Sequence, residues 1–222
     1  MKLLFASLII IAFLSVSCDK VENVINGNED GKITAKEKLD DVLSTATADF
    51  SADAKLAAIY GREVDTKGEI NLLQTNSFSA FVYIVQSDVK QSNEFYVPVF
   101  GAGPVKSPIN FNTMLSFVKN AKAKNIMSAL FGSLSTLSID PAANYHDSPE
   151  AITTLVVRND VSSFMTINPT SKIDMFLVPS KSIDSTSIVN SADWIVNFYG
   201  DSTSLVLWIN SASGEVKNIA EL

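Results

Sequence analysis

The chain has 222 residues, 17 of them basic and 24 acidic, for a net charge of −7. That length buries a core as one large domain or two small ones. The acidic balance offers no Lys/Arg stripe to neutralise phosphates, which argues against nucleic acid as a partner.

The first element is "MKLLFASLIIIAFLSVSC". Lys2 is its only charge, and Leu3 to Leu14 is an apolar run too short for a permanent membrane span but suited to a secretory signal. Ser15 and Ser17 bracket Val16 just before Cys18, the only cysteine of the chain. This stretch resembles the lipobox of bacterial lipoproteins, although Ser15 stands where that pattern prefers Leu. The resemblance implies removal of residues 1–17, lipidation of Cys18 with a palmitate-type chain, and a membrane anchor in the bacterial cell envelope. Without Lys2 the mature charge becomes 16 basic against 24 acidic, or −8.

Residues 18–33 read as a polar tether. Within it, "NGNEDGKITAKE" fits the register of a calcium loop. Asn26, Asn28 and Asp30 would be side-chain ligands, Gly31 the turn, Lys32 a backbone carbonyl, and Thr34 and Glu37 the last two ligand positions. Only Asp30 and Glu37 are anionic there, so calcium is the alternative, and no cofactor is the main expectation. Thr34 and Glu37 are also spaced as a capping box for a helix whose apolar face is Leu39, Val42, Leu43, Ala46 and Phe50.

Strands follow: "AKLAAIYGREV", "EINLLQT", "FSAFVYIVQSD" and "NEFYVPVFG". In the third, Phe81, Tyr83 and Val85 share one face, and Val82 and Ile84 the other. Pro98 predicts an edge or a bulge in the fourth. "FGAGPVKSP" (100–108) is Gly/Pro-rich without a phosphate-loop ending and reads as a connector. Residues 110–137 carry helical spacing through Met114, Leu115, Val118, Ile126, Met127, Leu130, Phe131 and Leu134, with Gly132 weakening or ending the helix.

From 147 the pattern recurs. "DSPEAITTLVVRND" opens a helix with Asp147 or Ser148 as N-cap and Pro149 in the first turn. "SSFMTIN", "IDMFLVPS", "ADWIVNFYG" and "SLVLWINSASGEV" then read as four strands. The expected fold is α+β: two units of a helix plus a four-stranded antiparallel sheet, at 34–105 and 147–222, joined by a helical connector at 106–146. The residues "WIVNFYGDSTSLVLWINSASGEV" (194–216) resemble the closing strand pair of PepSY-like domains, with Asn210 and Ser213 where Asp and Thr are usual and with Gly214, Glu215 and Val216 in agreement. That resemblance implies small modules of cystatin or β-lactamase-inhibitor-protein architecture that bind or inhibit an unidentified protein or peptide partner and carry no catalytic residues.

Other chemistry is weakly signalled. His146 is the only histidine; it lies in "ANYHDSP", with no serine in a nucleophile-elbow context, so a hydrolase is the lesser alternative. Asp40 and Asp41 fall on a solvated helix side. Phe81, Tyr83, Trp194, Phe198, Tyr199 and Trp208 are core or a binding face; Trp194, Val196 and Phe198 share one side of their strand.

Overall fold

Strands β2 (Lys55–Arg62) and β7 (Lys172–Pro179) lie antiparallel at the centre of the protein, pairing Ile59 with Leu177, Tyr60 with Phe176 and Gly61 with Met175. A computed structural model describes residues 31–74, 79–107, 109–117, 121–134, 136–183, 191–211 and 213–219. Outward from β2 run β4 (Ala80–Ser87), β5 (Ser92–Val99) and β6 (Gly103–Lys106). Outward from β7 run β8 (Ala192–Tyr199), β9 (Ser204–Ile209) and β10 (Val216–Asn218). The result is one mixed α+β architecture around an eight-stranded sheet, in the order β10-β9-β8-β7-β2-β4-β5-β6. All of its pairings are antiparallel.

The central strands are apolar on both faces because both faces are covered. On the first, Phe81, Tyr83, Val85, Trp194, Val196 and Phe198 meet α1 (Leu39–Asp49), α4 (Ser148–Val156) and α5 (Asn159–Ile167). The helices contribute Leu39, Val42, Ala46, Ile152, Leu155 and Val161. Each large aliphatic or aromatic side chain buried there contributes roughly 1.5–3 kcal/mol. Helix α4 starts where its sequence predicts, with Pro149 in the first turn; of the two N-cap candidates Asp147 takes the position, and the structure adds a reciprocal capping box between Asp147 and Glu150. Helix α1 keeps half of its expected box. Thr34 Oγ1 accepts from the Glu37 N–H at 3.4 Å, but the helix starts at Leu39 without a side-chain cap, and the Glu37 carboxylate lies 3.7 Å from Lys38 Nζ.

The second face is covered by the segment read as a connector. Helices α2 (Phe111–Phe117) and α3 (Ala121–Ser133), with Leu134 just beyond, set Met114, Met127, Leu130, Phe131 and Leu134 against Ala58, Tyr60, Val82, Ile84, Phe176, Ile195 and Trp208. Phe111 packs between Phe95 and Phe131, with ring centroids 4.9 and 4.6 Å away. Helices α2 and α3 therefore supply a layer of the protein rather than a bare link.

Four expectations are corrected. "EINLLQT" is not a strand of the main sheet: only Ile70–Asn71 (β3) pairs, with Lys32–Ile33 (β1), in a separate two-stranded sheet. Asn71 ends it by turning the chain, its Oδ1 accepting from Leu73 N–H. Ile33 is buried, so the packed fold reaches into the stretch read as tether. "SSFMTIN" is helical within α5, because buried Val161 with Phe164 and Met165 three and four residues on makes a helical face. "FGAGPVKSP" contains β6 and the hairpin that leads to it. There Gly101 and Gly103 adopt φ of +72° and +75°. Pro98 faces Pro104 across that hairpin, beyond the last β4–β5 pair at Tyr83 and Tyr96, so each proline sits where the sheet has a single neighbour.

Candidate functional site

Asp174 is an acid inside a run of apolar residues on β7, and it is 1% exposed. Alternation places it on the same face as Phe176 and Val178. Tyr60 from β2 and Tyr199 from β8 reach it from either side. Its Oδ2 accepts from the Tyr60 hydroxyl at 3.0 Å, and its Oδ1 from the Tyr199 hydroxyl at 3.2 Å and the Glu63 N–H at 2.9 Å. Burial raises the carboxyl to about 6, against the lowering pull of these donors and of Arg62. Burial, followed by the Asp174 charge, pushes both tyrosine hydroxyls above their ordinary value. Across the β7–β8 pair, Asp174 faces Asn197, itself buried, whose Oδ1 meets no donor among the described residues.

Beside this group opens a recess of about 210 Å³, lined by Arg62, Glu63, Thr170, Lys172, Tyr199, Gly200 and Asp201. It forms where β2 and β8 end and β7 begins. Glu63 follows β2 in a left-handed conformation, φ 49°, which is unfavourable for a side chain with a Cβ. Two bonds hold it there: its N–H donates to Asp174, and its carbonyl accepts from Ser79 Oγ at 3.0 Å. That bend brings the Glu63 Oε1 to 2.7 Å from Lys172 Nζ and 3.6 Å from Arg62 Nη2. The opposite wall is braced by Asn168, whose Oδ1 accepts from Thr203 Oγ1 at 3.0 Å, and by the tight turn in which Gly200 N–H donates to the Thr203 carbonyl. A strained residue, a buried carboxylate and paired charges around one cavity together mark a candidate site. Sequence reading passed over it, although Glu63 and Asp174 are lone acids at the end of or inside apolar strands.

The residues singled out by sequence lie elsewhere. Cys18, Asn26, Asn28 and Asp30 fall outside the described residues. Of the remaining loop positions, Lys32 is in β1 with its Nζ 3.1 Å from Glu69, and Thr34 and Glu37 take the positions at the start of α1 given above. Among the described residues, no group of three or more His, Cys, Asp or Glu side chains is placed to hold a metal ion, and no helix is long and apolar enough to cross a membrane. His146 is a loop residue beside the α4 cap: its Nδ1 lies 3.4 Å from Glu150 Oε2, and its carbonyl accepts from Trp194 Nε1 at 2.7 Å. Phe81, Trp194 and Phe198 are fully buried core. The Tyr83 hydroxyl donates to the Ala35 carbonyl, and Trp208 Nε1 to Asp193, so of these aromatics only Tyr199 lines the recess.

No protein-family model, curated protein or solved structure matches the chain.

Proposed function

We propose that this chain is an exported, lipid-anchored protein of the bacterial cell envelope, a non-enzymatic binding module built from two PepSY-like units. The observation that carries the two-unit reading is the strand order. On either side of the β2–β7 seam stand four strands, β2-β4-β5-β6 and β7-β8-β9-β10, each running outward in chain order. Helix precedes strands in both: α1 before β2, and α4 with α5 before β7. The stretch that resembles PepSY-like domains forms β8 and β9, and its "NSASGEV" is the turn into β10, with Gly214 at φ +71° and its N–H donating to the Asn210 carbonyl. The recess beside Asp174 straddles the same seam and is where a binding function would reside. The anchor rests on the Cys18 lipobox.

Metabolic labelling with palmitate tests this reading. Label that enters the wild-type protein, fractionates with membranes and disappears in Cys18→Ala supports it; equal labelling of the two forms sinks it.

Calcium binding by Asn26, Asn28, Asp30, Lys32, Thr34 and Glu37 is the second reading. It draws on the left-handed φ of +68° at Gly31, as the sixth position of such a loop requires. The Lys38 ammonium beside Glu37 works against it. Calorimetric titration with Ca²⁺ decides, and absence of heat at millimolar calcium removes this reading.

A further inference from the structure

The recess beside Asp174 is small, polar and already internally paired. Lys172 and Arg62 both approach Glu63 Oε1, at 2.7 and 3.6 Å. Asp201 adds a second carboxylate to the lining, and Thr170 a hydroxyl. Strong donors thus stand beside strong acceptors within one cavity of about 210 Å³. An anion competes with Glu63 for Lys172, and a cation competes with Lys172 for Glu63, whose side chain is only 18% exposed, so a fully charged ligand displaces part of the existing pairing. A hydroxyl needs no such displacement. It donates and accepts at once, so it can bridge Glu63 or Asp201 to Lys172 or Arg62 while the internal pair stays intact.

Size narrows the choice further. At about 210 Å³ the cavity is of the size class of one six-membered ring bearing hydroxyls. Tyr199 contributes a wall whose hydroxyl is already committed to Asp174, which leaves its ring carbons to meet the C–H groups of such a ligand. The bend at Glu63 and the turn at Gly200 fix both walls through hydrogen bonds within the protein, so little ordering remains to be done on binding.

We propose that this recess binds a neutral polyhydroxyl compound of monosaccharide size. The proposal rests on the reading of the protein as a binding module and assigns the ligand class to its recess. Arg62 and Lys172 donate to ring hydroxyls, Glu63 and Asp201 accept from them, and Tyr199 covers one side.

Saturation-transfer NMR tests it on the full chain, purified in a detergent without a sugar headgroup. The probes are glucose, galactose, mannose and myo-inositol, with glutamate and inorganic phosphate as charged comparators. Transfer to at least one neutral polyol is expected, with a millimolar dissociation constant. Asp201→Ala and Lys172→Met, each at an exposed position, are expected to weaken it about tenfold or more, the size of one or two lost charge-assisted hydrogen bonds. Transfer that persists unchanged in both variants overturns the proposal, as does transfer to none of the neutral polyols. Binding of only glutamate or phosphate, lost in the same variants, overturns the ligand class and keeps the recess as a binding site. The lipid anchor stands or falls separately, on the palmitate experiment.

Discussion

The hydroxyl of Tyr60 donates to the carboxylate of Asp174, 3.0 Å away, across the seam where β2 meets β7. The same tyrosine ring stacks on Phe176, with centroids 4.4 Å apart and planes at 12°. One side chain thus joins the two halves of the chain twice, by a buried polar bond and by an apolar contact. The recess wall at Glu63 hangs on the same carboxylate.

Asp174 gives the protein an inverted response to pH. In the folded state its carboxyl is raised from 3.8 to about 6 by burial. Between those values the folded chain holds a proton that the unfolded chain has released, so stability falls as pH rises from about 4 to about 6 and levels off above. The span corresponds to about 3 kcal/mol. Glu150 and Asp160 are lowered and act in the opposite sense only below their ordinary values of 4.5 and 3.8. Denaturant melts from pH 4.5 to 7 should show the decline in the wild type and a flat profile in Asp174→Asn. A profile that rises in the wild type contradicts the burial of this acid.

Gly68 is fixed by two constraints at once. Its φ is +79°, and a Cβ there would stand 2.4 Å from the Ser148 carbonyl oxygen. That approach lets Ser148 Oγ donate to the Gly68 carbonyl at 2.6 Å while accepting from Ala35 N–H at 3.0 Å, tying the β1–α1 turn to the start of α4. Gly68→Ala is expected to cost about 2–4 kcal/mol through strain and the broken bridge. Ser148→Ala keeps the backbone and loses only the bridge, about 1–3 kcal/mol. Thermal unfolding checks both, and the glycine variant must be the worse of the two.

Leu134 is fully buried beneath the α2–α3 layer, on the second face of the sheet. Leu134→Ala is expected to lower stability by about 2–5 kcal/mol, as in other fully packed cores. A near-neutral result, read by chemical denaturation, would mean that residues 111–134 do not pack on the sheet as described.

Much of this architecture is written in local signals, and the rest depends on weak local patterns or on pairings between distant parts of the chain. The helix start at Asp147 and Pro149 and the alternation of Phe81, Val82, Tyr83, Ile84 and Val85 show in a short window and are seen in place. The helical spacing of Met114, Met127, Leu130 and Phe131 is local too. Its destination, the second sheet face, is not, because sheet burial depends on a register set far away. "SSFMTIN" is rich in Ser and Thr, and it carries only Phe164 and Met165 of the helical face that Val161 opens, so a short window hides it. The recess was illegible for a plainer reason: Tyr60 and Asp174 stand 114 residues apart in the chain, and Glu63 and Asp174 stand 111 apart. Antiparallel pairing of β2 with β7 brings them together, and no spacing rule reports that pairing.

The central claim is that both halves of the chain share one sheet through the β2–β7 seam, with the candidate site at its end. NMR on protein with selectively labelled Tyr and Phe rings tests it most directly. A cross-peak between the Tyr60 and Phe176 rings is predicted, lost in Phe176→Leu while the rest of the aromatic spectrum persists. Absence of that cross-peak in the folded wild-type protein would contradict the account.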